Sequence, residues 1–266
     1  MVAAVRMDLC EPRNGALHMR RTGQTEMPSP SFPRPRHPGR IALIAAAAVA
    51  LSALDAAAAA RPQLAVVELF TSQGCSSCPP ANDNIRTLAS RRDVLALSFG
   101  VTYWDSLGWK DTFASPAFTS RQWAYARGLH HDNVYTPQVV VNGRVDTVGQ
   151  HLAEIEALLQ GPPLAGPRIE AEAGAVSLSA GAAPRTAPAD VWLVRYEPRV
   201  IEVPVRRGEN TGRTLPHAHV VRSLVHLGTW SGAAARLTLP LAPAGLASAV
   251  LVQSPGTGPI LAAATL

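Results

Sequence analysis

Apolar and polar residues alternate between strand-like and helix-like patterns from residue 63 to residue 160. Continuous runs rich in Val and Leu predict buried strands, and apolar stripes at helical spacing predict helices. Pro116 suits the first turn of a helix, and Asn142-Gly143 is typical of a two-residue hairpin turn. The predicted elements are strand 63–70, helix 79–90, strand 94–101, helix 116–129, strands 138–141 and 144–148, and helix 151–160. This order, β-α-β-α-β-β-α, indicates an α/β domain.

The pattern changes after Gly166-Pro167, where short apolar segments are separated by Pro and Gly. No segment in this part has a convincing helical pattern, and about eight short strands in about a hundred residues favour a β-sandwich. The strands are predicted at 168–173, 175–179, 190–196, 200–206, 217–227, 235–239, 249–253 and 260–266. We therefore expect an α/β domain at 61–164 and a β-rich domain at 168–266. The pattern leaves open whether the second folds onto the first.

The first 60 residues resemble a secretory signal region. Arginines precede an apolar run at 41–54 that is too short for a comfortable membrane span, and the alanines at 56–60 supply a small-residue cleavage pattern. We expect cleavage near Ala60, with an uncleaved anchor as the alternative, and a periplasmic or secreted protein in either case. Residues 1–26 form no recognisable part of such a signal, so Met27 would be a more conventional start.

Composition and charge narrow the function classes. The chain is 47% hydrophobic, which is ample for a sizeable core. Its formal net charge is +5, but seven of the 24 Arg and Lys residues and four of the 19 acidic residues precede Arg61, which leaves 17 against 15. The part after the signal region therefore has no electrostatic footprint for nucleic acid.

Cys75 and Cys78 form a C-x-x-C pair between the first predicted strand and the first predicted helix. Cysteines at this spacing close into a disulfide with little backbone movement, and the amides and dipole of a first helical turn favour a thiolate. We predict Cys75 as the nucleophile and Cys78 as the resolving thiol. Cys10 falls in the doubtful leader, so the exported part keeps one pair in a compartment where disulfides persist. A purely structural disulfide is the alternative, and a structural zinc site would need two more ligands.

Four long and unusual segments carry a family resemblance: ELFTSQGCSSCPPAN, YWDSLGWKDTFASPAFTSRQ, VYTPQVVVNG and RRGENTGRTL. Together they resemble the secreted thioredoxin-like family known as domain of unknown function 1223, and residues 63–160 look like a thioredoxin fold. The resemblance implies that Pro137 is cis and lies against the dithiol. It also implies that the backbone of Thr136 could pair with an extended substrate beside Cys75. An ordinary trans proline at the start of a strand is the alternative.

Glu68 resembles the buried acid that helps take the proton from the resolving thiol in thioredoxin. An acid within Val66-Val67-Glu68-Leu69-Phe70 is not expected on a free surface. Burial would raise its pKa, which suits a proton acceptor for Cys78 through a water. The alternative is a glutamate at the end of a strand that faces solvent or an arginine.

The loop after the second predicted strand contains Trp104 and Trp109. It lies at the sheet edge where open α/β proteins bind their ligands, so it could face the substrate. Two tryptophans in a loop are also typical of a hydrophobic cap, and packing is the favoured interpretation.

His217 and His219 are spaced to share one face of a strand. With Glu209 or the dithiol, they could bind copper or zinc. The favoured interpretation is that residues 208–212 form a hairpin turn in which Arg and Glu pair with each other. Both histidines would then lie on a solvated face.

These observations predict an exported thiol–disulfide oxidoreductase that needs no cofactor beyond the redox-active disulfide Cys75–Cys78. The expected partners are exported protein or small-molecule thiols and disulfides and a redox partner protein, without nucleic acid and without a membrane span after cleavage. The direction of exchange stays open between oxidation, reduction, isomerisation and peroxide reduction. The alternatives are a copper or other metal chaperone that uses Cys75, Cys78, His217 and His219, and a redox-inactive binding scaffold.

Overall fold

The computed structural model of the protein describes residues 64–266. The predictions for the signal region, its cleavage near Ala60, the start at Met27 and Cys10 lie outside the described residues. The described part is mainly β-sheet, with thirteen strands and three short α-helices. None of those helices is long and apolar enough to cross a membrane.

Residues 65–159 build a four-stranded sheet with three helices. The elements are β1 (Ala65–Thr71), α1 (Pro79–Leu88), β2 (Val94–Gly100), α2 (Pro116–Gly128), β3 (Gln138–Val141), β4 (Val145–Thr147) and α3 (Leu152–Leu159). The strand order is β2-β1-β3-β4, in which β1 and β2 are parallel and the other pairs are antiparallel. All seven elements occur in the predicted order, and their ends differ from the prediction by two residues or fewer.

Local sequence explains where these elements begin and turn. Ser115 caps α2, because its side chain accepts a hydrogen bond from the amide of Ala117, and Pro116 follows at the first helical position. Asn142 and Gly143 both have positive φ, at 52° and 63°, as the tight turn between β3 and β4 requires. A Cβ on Gly143 would lie 2.7 Å from the carbonyl oxygen of Gly258, so this turn packs closely against the end of the chain.

Residues 169–265 contain nine strands and, among the described residues, no helix. They are β5 (Ile169–Glu172), β6 (Ala175–Leu178), β7 (Ala189–Tyr196), β8 (Ile201–Pro204), β9 (Thr214–His217), β10 (Val221–Trp230), β11 (Ala235–Thr238), β12 (Ala247–Gln253) and β13 (Ile260–Thr265). They form a four-stranded sheet in the order β10-β7-β12-β13, a three-stranded sheet in the order β11-β6-β5, and the hairpin β8-β9.

The prediction of one strand at 217–227 was wrong, because the chain breaks there into two. β9 ends at His217 and β10 begins at Val221. Between them His219 adopts a positive φ of 46°, which a continuous strand cannot contain. β9 then pairs with β8 in a hairpin that joins neither large sheet.

Three hydrophobic cores hold the sheets together. One lies between the first sheet and helices α1 and α3, and a second between the four-stranded and three-stranded sheets of the β-rich region. The third lies between the first sheet with α2 and the other face of the β10-β7-β12-β13 sheet. It includes Phe70, Phe99, Tyr125, Val194 and Leu251. The β-rich region therefore folds onto the α/β region and shares a core with it.

Candidate active site

Cys75 and Cys78 form a disulfide in the turn between β1 and α1. The amide of Cys78 donates to the carbonyl of Cys75 at 3.2 Å, and the carbonyl of Cys78 accepts from Asn82 in the first turn of α1. Cys78 is thus the residue from which the helix starts, and Pro79 follows it. Both cysteines are 0% exposed. A substrate must therefore displace some of the surrounding structure before it can reach either sulfur.

The segment that precedes β3 lies beside this turn. The hydroxyl of Ser77 is 3.2 Å from Sγ of Cys75 and donates to the carbonyl of Thr136 at 3.4 Å. The peptide bond between Thr136 and Pro137 is cis. The structure therefore brings together four of the five predicted catalytic residues: Cys75, Cys78, Thr136 and Pro137.

The tryptophan loop after β2 encloses the same turn. The indole N–H of Trp104 donates to Oγ1 of Thr136 at 2.8 Å, and that of Trp109 donates to Oε1 of Gln73 at 2.9 Å. Trp104 also packs against the core shared by the two regions. The packing interpretation is therefore confirmed for Trp104, and the loop also lies beside the site, while its contact with a substrate stays a prediction.

A buried carboxyl group anchors the start of the turn that contains Cys75 and Cys78. We call this turn, residues 72–78, the cysteine turn. Oδ2 of Asp111 accepts the amide of Gln73 at 2.7 Å, and its Oδ1 accepts the amide of Phe113 at the same distance. Burial raises the pKa of Asp111, and these backbone donors oppose that shift. Gln73 therefore fixes the cysteine turn to the tryptophan loop twice, through its backbone amide to Asp111 and through its side chain to Trp109.

The β8-β9 hairpin contributes two residues to the site. We call residues 205–213, which connect β8 to β9, the hairpin tip. Nδ2 of Asn210 donates to the carbonyls of Gln73 at 3.0 Å and Cys75 at 2.8 Å, and Asn210 is 0% exposed. Oε2 of Glu209 accepts the amide of Ser76 at 3.0 Å and its hydroxyl at 2.7 Å.

These contacts overturn the prediction that Glu209 pairs with an arginine of its own turn. Its partner in the described structure is Ser76, which is 133 residues earlier in the chain. The hydroxyl and the amide of Ser76 lower the pKa of Glu209, so the carboxylate is charged at neutral pH. Arg213 binds Oδ1 of Asn210 instead, at 2.9 Å.

The structure does not bring Glu68 to the cysteines. Its neighbours Val67 and Leu69 face α1, so Glu68 points to the opposite face of β1, toward α2. There the carboxylate is fully buried and binds Arg121 through both oxygens, and the hydroxyl of Tyr125 donates to it as well. The expectation that Glu68 is buried is confirmed, but an arginine holds it, and no hydrogen bond links it to the cysteine turn.

His217 and His219 are not on a solvated face, and this interpretation was wrong. His217 is 2% exposed, its ring packs edge-on against Phe113, and its Nε2 has no hydrogen-bond partner within the described structure. Burial lowers its pKa to about 4. His219 packs against Tyr196 and binds the carbonyl of Ala96 through Nδ1 at 2.9 Å. Across residues 64–266, no group of three or more His, Cys, Asp or Glu side chains is arranged to hold a metal ion.

Sequence reasoning missed Gln73, Ser77 and Asn210, which hold the cysteine turn. Asn210 lies in RRGENTGRTL, one of the segments that carry the family resemblance, and this was the available signal. A side chain that completes a turn 135 residues away leaves no spacing pattern along the chain.

The fold and site define a mainly β protein in which a four-stranded α/β sheet presents a C-x-x-C disulfide beneath a hairpin from a β-rich region. The sequence model of the family described as protein of unknown function (DUF1223) matches residues 66–253. The chain therefore belongs to the DUF1223 family. Among curated proteins, none matches the chain.

Two solved structures are similar to this chain. The crystal structure of protein AGR_C_4864 from Agrobacterium tumefaciens is 32% identical, with a TM-score of 0.64, over 76% of this chain and 93% of that chain. HBP35 of Porphyromonas gingivalis is 14% identical, with a TM-score of 0.54, over 77% of this chain and 75% of that chain. The second similarity concerns the fold alone.

Proposed function

We propose that the protein is an exported thiol–disulfide oxidoreductase whose redox-active group is the Cys75–Cys78 disulfide. The observation that carries the proposal is the position of that disulfide. It closes the turn from β1 into α1, 3.2 Å from a serine hydroxyl that also binds the Thr136 carbonyl, beneath two hydrogen-bonded tryptophans. A disulfide that served stability alone would not need these surroundings.

We propose further that residues 65–159 have a thioredoxin-like fold and that the β-rich region is a β-sandwich. The strand order β2-β1-β3-β4, with the C-x-x-C after β1 and Pro137 before β3, supports the first. The core enclosed between the four-stranded and three-stranded sheets supports the second. Export is supported by the arginines and the apolar run of the leader.

The exchange reaction follows from the chemistry of the pair. A substrate thiolate attacks Sγ of Cys75, which forms a mixed disulfide and releases Cys78 as a thiolate. The second substrate thiolate then attacks the substrate sulfur of the mixed disulfide and releases Cys75. Two electrons pass from the substrate dithiol to the protein, and the reverse sequence reduces a substrate disulfide. Each protein thiolate takes its proton from solvent or from the substrate thiol.

The metal-chaperone alternative is not proposed. Across residues 64–266, the histidines and cysteines do not come together in a group of three or more side chains arranged to hold a metal ion. The redox-inactive scaffold remains the competing function, and it differs in one property: its disulfide would not exchange.

The test is a redox titration of the purified full chain in glutathione buffers. The oxidised fraction of the Cys75–Cys78 pair is followed by thiol trapping and peptide mapping, which separates this pair from Cys10, and metal content is measured on the same sample. We expect a reversible transition within the range of thiol–disulfide oxidoreductases, roughly −120 to −270 mV, without stoichiometric metal.

Two results would overturn the proposal. A disulfide that stays closed throughout the titration indicates a structural bridge on a scaffold. A stoichiometric metal on the reduced protein, lost in Cys75→Ser and Cys78→Ser, indicates a metal carrier. A reversible dithiol–disulfide transition in glutathione buffers that is abolished by either cysteine substitution and retained in His217→Leu supports the oxidoreductase.

A further inference from the structure

We propose that Glu209, in the hairpin tip, is a positioning residue that lowers the reactivity of Cys75 and so favours the disulfide over the dithiol. This inference rests on the proposed function and assigns to the β-rich region a function at the redox site. The contact that motivates it is between the Glu209 carboxylate and both polar groups of Ser76, the residue next to Cys75.

The start of α1 lacks a negative charge of its own. The helix has no acidic residue in its first turn and no side-chain cap at Cys78. Its free amides and dipole would therefore favour a thiolate at the cysteine turn. Glu209 brings a carboxylate to this end of the helix from another region of the chain. It also accepts the hydrogen bond of the Ser76 amide, and the dipole of that amide would otherwise help to stabilise a nearby thiolate.

The geometry holds this carboxylate in place. Asn210, the next residue, is buried and bridges two carbonyls of the cysteine turn, and Gly208, the previous one, packs on Trp109, where an added Cβ would lie 3.3 Å from that of the tryptophan. Glu209 is thus flanked by two anchored residues. The low pKa of Glu209 keeps it charged throughout the pH range in which a thiol titrates.

Several of the other charged groups around the turn are held by other partners, and the rest are exposed. Asp111 binds the amides of Gln73 and Phe113, and Arg213 binds Asn210. Asp83 and Arg86 pair with each other on the exposed face of α1. Lys110, Arg206 and Arg207 are exposed side chains of the surrounding loops. Among the charged groups of the described structure, Glu209 is the one hydrogen-bonded to the C-x-x-C segment itself.

The predicted consequence concerns both acidity and redox equilibrium. Reduction of the disulfide by two glutathione thiols gives the protein dithiol and one glutathione disulfide. At a pH above the pKa of Cys75, anything that stabilises the thiolate shifts this equilibrium toward the dithiol. Removal of the Glu209 charge should therefore lower the pKa of Cys75 and favour the reduced protein.

The experiment compares the full-length wild type with Glu209→Gln, which keeps the hydrogen-bond acceptor and removes the charge. Glu202→Gln is the matched control, because Glu202 is an exposed acid of β8 on the same hairpin. The pKa of Cys75 is read from the pH dependence of its alkylation by iodoacetamide, with peptide mapping, and the equilibrium constant is measured against glutathione.

We expect Glu209→Gln to lower the pKa of Cys75 by about half a unit, which is about a threefold rise in the thiolate-to-thiol ratio. The glutathione equilibrium should move toward the dithiol by up to the same factor, the difference should shrink in 1 M salt, and Glu202→Gln should match the wild type. If Glu209→Gln matches the wild type, or if both variants shift alike, the inference is wrong and the oxidoreductase stands. If the wild-type disulfide does not exchange at all, the proposed function fails and this inference fails with it.

Discussion

The carboxylate of Glu68 and the guanidinium of Arg121 form a buried ion pair with two hydrogen bonds, Nε to Oε1 at 2.8 Å and Nη2 to Oε2 at 3.1 Å. Burial, the largest single influence, would lower the pKa of Arg121, but the electrostatic and hydrogen-bond interactions with Glu68 and Tyr125 together outweigh it and the pKa is raised. Arg121 also binds the Tyr125 hydroxyl and, at 3.0 Å, Oε1 of Gln253. The pair thus fixes β1, α2 and β12 together at the centre of the molecule.

Glu68→Gln should destabilise the protein without disabling the dithiol. The substitution leaves the Arg121 guanidinium buried without a counter-charge, and breaking a buried pair in this way costs about 3 kcal/mol of unfolding free energy. Urea denaturation measures this loss. The rate of glutathione exchange per folded molecule should stay within about twofold of the wild type, because Glu68 has no hydrogen bond to the cysteine turn.

The matched variant is Glu68→Gln with Arg121→Met, which removes both charges and should recover part of the lost stability. If the exchange rate of folded Glu68→Gln falls by a factor of ten or more, Glu68 acts as the proton acceptor that the family resemblance implies, and the structural interpretation of the pair is wrong.

The sequence predicted the order of elements because each leaves a local pattern, such as the continuous apolar run at Val94–Gly100 or the turn at Asn142-Gly143. It predicted the position of the disulfide for the same reason. It could not predict which face of β1 carries Glu68, because apolar residues cover both faces of the strand and the period-two pattern is lost.

The partners of the site lay beyond local patterns. The contact between Asn210 and Cys75 joins residues 135 positions apart, and no periodicity along the chain records it. The burial of His217 likewise depends on Phe113, which reaches it from a loop about a hundred residues earlier. Such contacts are set by how the β-rich region packs on the first sheet, and the sequence left that packing open.

Asn210→Ala should loosen the cysteine turn. The substitution removes two hydrogen bonds from a fully buried amide to the carbonyls of Gln73 and Cys75, and local opening of the turn should become easier by about 1–2 kcal/mol. Because Cys75 is fully buried, its alkylation in the reduced protein depends on such opening, and the rate should rise roughly tenfold.

Asn133→Ala is the matched control for that measurement, because Asn133 is an exposed asparagine in the loop before β3. An alkylation rate of Cys75 in Asn210→Ala that equals the rates of the control and of the wild type would show that the hairpin tip does not restrain the turn.

His217 should make the protein less stable as the pH falls. Its pKa in the folded protein is about 4, below the ordinary value of about 6.5, so between these values the unfolded chain binds more protons than the folded one. The unfolding free energy therefore falls as the pH drops from about 6.5 to about 4, by at most about 3 kcal/mol from this residue. His217→Leu should lose this part of the pH dependence, as measured by urea denaturation across the same range.

His151→Gln provides the comparison for the pH series, because His151 is an exposed histidine at the start of α3. Its stability curve should run parallel to that of the wild type, while the His217→Leu curve should be flatter. Parallel curves for all three proteins would mean that His217 takes up a proton without unfolding, so that its burial does not control its titration.

Cys78→Ser should trap a mixed disulfide that Cys75→Ser forms much more slowly. In Cys78→Ser the Cys75 thiolate attacks glutathione disulfide, forms a bond to one glutathione and releases the other as a thiolate, and no resolving thiol remains to reverse the step. In Cys75→Ser the remaining thiol is Cys78, the predicted resolving thiol, and its reaction should be slower by a factor of about ten or more. Both variants are made with Cys10→Ser, so that adduct formation measured by mass spectrometry reports one cysteine in each protein. Adducts that form equally fast in both, or faster on Cys78, would reverse the assignment of attacking and resolving thiols.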